Sequence, residues 1–126
     1  MEIICLDTDI LIEHKRAKDK TKTKFFELST QYQFAVSIIV AYELFRGDNS
    51  EEDKFWNEFF SQRIMVLNID FDCAKVAGNI YRDLKQKGKM IGVEDILIAA
   101  TAIRNGYKLA TENKEHFARI PNLILV

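Results

Sequence analysis

The chain has 126 residues, 48% of them apolar and 29% charged, which suits one domain over residues 1–126 with a core of its own. Its formal net charge is −1. That excludes attachment to nucleic acid by bulk charge, so any such partner must be met by a local patch. Two cysteines far apart without metal-ligand spacing, an N-terminal apolar run broken by Asp7, and no apolar stretch near the ~20 residues of a bilayer span exclude a zinc module, a signal peptide and a membrane helix. A cytoplasmic protein with reduced core thiols at Cys5 and Cys73 is expected.

Glu2 to Leu6 is rich in β-branched residues and continuously apolar after its first position, the pattern of a buried parallel strand. Asp7-Thr8-Asp9 follows and offers three candidate N-caps for a helix beginning at Ile10 to Glu13. His14 to Lys24 is basic, with Lys15, Arg16, Lys18, Lys20, Lys22 and Lys24 set against Asp19. It reads as a solvated loop and helix start, with phosphate-backbone contact as the functional alternative. Phe25, Phe26 and Leu28 continue as an amphipathic helix to about Tyr32.

Phe34-Ala35-Val36 is a second strand, and Ser37 caps a helix from Ile38 to Arg46 that Gly47 stops. Glu43 shares a helical face with Ile39 and Val40. An unpaired buried carboxylate costs several kcal/mol, so Glu43 needs a cation. Arg46 at i+3 and a metal shared with other carboxylates both satisfy that need, and the segment alone leaves the choice open.

Glu51 to Ser61, with Phe55, Trp56, Phe59 and Phe60, is another amphipathic helix, and Ile64 to Leu67 is a third strand. Asp70 and Asp72 are expected to cap a helix to about Lys87, with Ala74, Val76, Ala77, Ile80, Tyr81 and Leu84 facing inward and Gly88 ending it. Ile91 to Ile103 carries apolar residues all round the helical wheel, and a buried central helix is expected from Val93. Glu94 and Asp95 occupy its first turn, where acids are favoured. After the Asn105-Gly106 stop come a fourth strand at Tyr107 to Ala110, the segment Thr111-Glu112-Asn113, a helical turn at Glu115 to Phe117, and a last strand at Leu123 to Leu125. Strands alternating with helices predict an α/β sandwich with a mostly parallel central sheet.

Asp7, Glu43 and Asp95 sit inside apolar runs where a lone charge is costly. In a parallel sheet, strand C-termini and the helix N-termini that follow line one end, where open α/β sheets place their ligands. Acids converging there repel one another when unoccupied. Oxygen ligands without a Cys or His cluster select hard cations, Mg²⁺ or Mn²⁺. Such a centre suits phosphodiester hydrolysis. Neither His14 nor His116 has a triad-like setting, and there is no phosphate loop, dinucleotide fingerprint or nucleophilic serine motif.

Four segments occur in order: Leu6 to Ile12, Tyr42-Glu43-Leu44 with Arg46-Gly47, Glu94 to Ala102, and Leu109 to Asn113 with Phe117. Together they resemble the PIN-domain ribonucleases, specifically the small VapC-type toxins of toxin–antitoxin pairs, over essentially the whole chain. The resemblance implies a PIN-like three-layer α/β/α sandwich and a Mg²⁺- or Mn²⁺-dependent endoribonuclease. It also implies an RNA substrate, a homodimer and a cognate antitoxin. Matched residue by residue, it places Asp7, Glu43 and Asp95 on the three acidic metal positions, Thr111 on a hydroxyl position and Asp9 on a supporting position. The fourth acidic position falls on Asn113, with Glu112 just before it. This departure weakens a second metal, so one firmly held metal is expected. Lys15, Arg16, Lys18 and Arg46 are the basic residues available to RNA.

Two other Mg²⁺-dependent folds compete. A phosphorelay receiver domain needs a phosphoacceptor closing its central strand, and Asp70 after Ile64 to Leu67 is the only candidate. A haloacid-dehalogenase-like phosphatase would open on Asp7-Thr8-Asp9 but needs a later lysine motif that is absent. A PIN-like scaffold without activity is the non-enzyme alternative, and it gains nothing from buried like charges.

Overall fold

The structure is a computed structural model that describes residues 1–47, 50–62 and 64–126. Among the described residues, four strands form one sheet: β1 (Glu2–Leu6), β2 (Tyr32–Ser37), β3 (Ile64–Leu67) and β4 (Lys108–Ala110). Every pairing is parallel, and the order is β3-β2-β1-β4. The helices are α1 (Thr8–Arg16), α2 (Lys24–Ser29), α3 (Ile38–Phe45), α4 (Ser50–Phe60), α5 (Phe71–Lys87), α6 (Val93–Asn105) and α7 (Lys114–Phe117). A 3₁₀ turn at Lys20–Lys22 joins α1 to α2.

In β1, the consecutive residues Ile4, Cys5 and Leu6 are all buried. Side chains alternate faces along a strand, so burial of successive residues means that both faces are covered. Ala35 and Val36 of β2 repeat the pattern. This is the expected three-layer α/β/α sandwich, with α5 packed on α6, and α1 packed on α2 and α3. Both cysteines are free and buried, and burial pushes the Cys5 thiol up to about 12. Among the described residues, no helix is long and apolar enough to cross a membrane.

Several boundaries differ from the sequence reading. The helix expected to reach Tyr32 ends at Ser29, because Tyr32 pairs with Glu2 as the first residue of β2. The strand expected at Leu123 to Leu125 is one parallel bridge, Leu109 to Leu125. β4 has only three residues, so little ladder is offered to a further strand. In α5 the buried stripe is Cys73, Ala77, Ile80 and Leu84, and the expected inward residues Ala74 and Tyr81 are exposed. Lys85 lies over the Tyr81 ring instead. Asp70 caps α5 through the Cys73 N–H, whereas Asp72 sits in the first turn and pairs with Arg104 of α6 at 3.3 Å. The central helix is buried from Ile96 to Ala102 except at half-buried Leu97, while Val93 at its start is 63% exposed. Finally, β3 is an edge strand, so Asp70 does not close a central strand and the receiver-like reading loses its phosphoacceptor.

The order of strands positions the site. The chain steps from β1 to β2 to β3 on one side, then returns to place β4 on the other side of β1. The C-terminal ends of β1 and β4 therefore flank the point where the order reverses, the usual ligand crevice of such sheets.

Candidate acidic site at the C-terminal end of the sheet

Asp7 directly follows β1, and its N–H donates to the Ala110 carbonyl at 2.9 Å, extending the ladder to β4. Of the three candidate caps, Asp7 is the one that caps α1. Its Oδ1 accepts from the Thr8 N–H at 2.7 Å. Its Oδ2 accepts from the Thr111 hydroxyl, also at 2.7 Å. The residue is only 6% exposed. Burial raises its carboxyl pKa above the ordinary range, the Asp95 and Glu43 charges add to the rise, and these two hydrogen bonds oppose it.

Asp9, in the first turn of α1, reaches the same place. Its Oδ2 accepts from the Glu112 N–H at 3.2 Å and lies 3.5 Å from the Thr111 hydroxyl. Its Oδ1 is buried without a hydrogen-bond partner among the described residues. Burial, followed by the neighbouring Asp7 charge, pushes this carboxyl up to about 6.

Glu43 enters from α3. Its Oε1 accepts from the Thr8 hydroxyl at 2.7 Å, and its Oε2 lies 3.7 Å from the Arg46 guanidinium. Thus the Arg46 pair exists, but it is long and its arginine is half-exposed. The closer contact is to Thr8. Asp95 sits in the first turn of α6, whose start is capped by Gly92 with no side-chain bond. Burial raises the Asp95 pKa, the Glu43 charge raises it further, and the His116 ring works in the opposite direction.

The loop after β4 closes the group. The Asn113 N–H donates to the Thr111 hydroxyl at 2.9 Å, and the Asn113 amide nitrogen lies 3.0 Å from His116 Nδ1. Glu112 is exposed, and its backbone rather than its carboxylate holds Asp9.

Asp7, Asp9, Glu43 and Asp95 therefore lie within mutual electrostatic reach at one end of the sheet. They do not form a ready-made cage: among the described residues, no three His, Cys, Asp or Glu side chains stand in ligand geometry. The donor set still fits a hard divalent cation. Mg²⁺ binds through one or two carboxylates and keeps several waters, so it does not require a closed protein cage. The orphaned Asp9 Oδ1 and the raised carboxyl pKa values mark surplus negative charge that a cation relieves.

Two site residues were missed in the sequence reading. Thr8 figured only as a possible cap, yet its hydroxyl links α1 to Glu43. His116 has no triad-like setting in the sequence, yet it bonds Asn113 and acts on Asp95. Its spacing of three from Asn113, one helical turn, was the available signal. The basic residues divide. Lys15 pairs with Glu52 at 3.2 Å, and Lys20 donates to the Lys15 and Ala17 carbonyls at the end of α1. Arg46 leans on the Tyr42 ring and Glu43. Arg16 and Lys18 are exposed and make no ion pair among the described residues. A cavity of about 180 Å³ opens beside Glu43, lined in part by Lys15, Arg16 and Glu52.

Comparison with known proteins agrees with this architecture. The PIN domain family model matches residues 4–123. Ribonuclease VapC1 of Methanocaldococcus jannaschii is 34% identical over 117 residues, covering 93% of this chain and 80% of that protein. Ribonuclease VapC2 of Rickettsia felis is 34% identical over 128 residues, covering 98% of this chain and 96% of its own. The crystal structure of VapBC2 from Rickettsia felis, bound to a DNA fragment from their promoter, superposes with a TM-score of 0.81 at 31% identity, covering 98% of this chain and 97% of that one. The chain belongs to the PIN-domain family, where its relatives are the VapC ribonucleases.

Proposed function

We propose that this protein is a Mg²⁺- or Mn²⁺-dependent endoribonuclease that hydrolyses RNA phosphodiester bonds, and the toxin of a toxin–antitoxin pair. The observation that carries this reading is the gathering of Asp7, Asp9, Glu43 and Asp95 at the β1–β4 switch point, with a buried Asp9 oxygen left unpartnered. Relatives named as ribonucleases support the reaction class, and related chains solved as VapBC complexes support a cognate antitoxin partner.

Asp7, Glu43 and Asp95 are the residues that would hold the cation, with Asn113 or Glu112 at the fourth position. When bound, Mg²⁺ or Mn²⁺ supplies positive charge to the phosphate and activates water for attack. The chain's own residues prepare the place. Thr111 and the Thr8 N–H fix both oxygens of Asp7. The Thr8 hydroxyl turns Glu43 toward the same end of the sheet. Asp9 ties α1 to the loop after β4. Arg16 and Lys18 face solvent and are the basic side chains best placed to meet an RNA backbone, with Lys15 and Arg46 reachable after their acidic partners are displaced.

The test is cleavage of a mixed pool of structured and unstructured RNA with Mg²⁺, with Mn²⁺ and with EDTA. Wild type is compared with Asp7→Asn and Asp95→Asn. Metal-dependent cutting lost by at least a hundredfold in both variants, with folding intact, is expected. Full activity in both removes the site assignment. Absence of cutting together with absence of any metal effect on stability favours the silent scaffold. We also propose a homodimer, which light scattering at micromolar concentration tests directly. A monomeric mass there rejects it.

A further inference from the structure

Asn113 holds the N-cap position of α7 but makes no side-chain capping bond. An asparagine at that position ordinarily turns its carbonyl oxygen onto the first free N–H groups of the helix. Here the amide nitrogen is turned to His116 Nδ1 at 3.0 Å, and the backbone N–H is held by Thr111, whose hydroxyl is itself bonded to Asp7. The Asn113 carbonyl oxygen makes no hydrogen bond among the described residues. An amide nitrogen only donates, so in this contact His116 Nδ1 is the acceptor.

The amide has a right and a wrong way round. Thr111 links the Asn113 backbone N–H to the Asp7 carboxylate, and the His116 ring that holds the amide acts on Asp95, so an unrestrained NH₂ group would be drawn toward these acids. Turned that way, it would present hydrogens to the space where a cation must sit. We propose that His116 is a positioning residue that holds the Asn113 amide with its carbonyl oxygen free as a neutral ligand for the divalent cation. The inference rests on the metal-dependent reading above and adds to it the device that makes an asparagine serviceable at an acidic position. An aspartate there needs no such device, because both of its oxygens are acceptors.

This asymmetry supplies the test. Mn²⁺ binding is measured by calorimetry at pH 7.5 for wild type, His116→Ala, His116→Gln, Asn113→Asp and the double variant Asn113→Asp/His116→Ala. Circular dichroism in EDTA confirms the fold of each. Loss of an outer-shell partner costs about 10- to 100-fold in metal affinity, so His116→Ala is expected to weaken Mn²⁺ binding about tenfold. His116→Gln, whose amide oxygen accepts, retains more affinity than the alanine variant. In the Asn113→Asp background, removing His116 costs nothing. Wild-type affinity in His116→Ala, or an equal loss in both backgrounds, overturns the positioning role while leaving the metal reading standing. No Mn²⁺ binding by wild type removes the metal reading and this inference with it.

Discussion

Asp9→Asn is expected to stabilise the metal-free protein at neutral pH and to have no such effect near pH 4. The Asp9 carboxyl titrates at about 6 in the folded protein, against 3.8 as its ordinary value, chiefly through burial and then through the Asp7 charge. A raised carboxyl pKa means that the folded state binds more protons than the unfolded one between these two values. Stability therefore falls as pH rises from about 4 to about 6, and the penalty is fully present above that window. Each pKa unit corresponds to about 1.4 kcal/mol, so the ceiling is about 3 kcal/mol. Partial solvent access reduces this to roughly 1–2 kcal/mol. The variant keeps an oxygen for the Glu112 N–H, and it places a neutral NH₂ rather than a charged oxygen in the unpartnered position beside Asp7. A chain of this size gains roughly 3–5 °C per kcal/mol, so an increase in Tm of roughly 3–10 °C at pH 7.5 is expected. Thermal unfolding of both proteins in EDTA from pH 4 to pH 8 measures it. A gain absent at pH 7.5, or equally large at pH 4, would refute the argument that Asp9 is held ionised against burial and repulsion.

The same electrostatics predict that Mg²⁺ raises the Tm more at pH 7.5 than at pH 5, because protons compete for the Asp7, Asp9 and Asp95 carboxylates. A ligand at a hundred times its Kd stabilises by about 2.7 kcal/mol, and EDTA or Asp7→Asn should abolish the shift. An equal gain at both pH values in a melting series would contradict this. Away from the site, Thr101→Val should cost about 1–2 kcal/mol in urea unfolding. The buried Thr101 hydroxyl donates to the Leu97 carbonyl at 2.7 Å and meets Ser37 Oγ at 3.1 Å, tying α6 to the end of β2. An unchanged unfolding midpoint would show that this link contributes nothing.

Apart from the strand expected at Leu123 to Leu125, the sequence alone determined the element types, because the signals are local. Continuous burial in Ile4-Cys5-Leu6, the Ser37 and Asp70 caps, and the stops at Gly88 and Gly106 each follow from side chains acting on their own backbone. Asp7, Glu43 and Asp95 stood out for an equally local reason, since an acid within an apolar run has a desolvation cost wherever the chain goes. What the sequence could not decide is what depends on partners distant along the chain. The ladder to Glu2, not any residue nearby, makes Tyr32 a strand start and ends α2 early. The inward side of α5 was misjudged at Ala74 and Tyr81 because apolar character marks a stripe only once α6 fixes which stripe is covered. Asp9 was visible as a polar supporter, but its orphaned oxygen exists only because β4 delivers Thr111 and Glu112 to one side of it and not the other. His116 gained a role in the same way. One helical turn aligns it with Asn113, yet only the return of β4 beside β1 brings that pair to the buried acids, where the orientation of an amide matters.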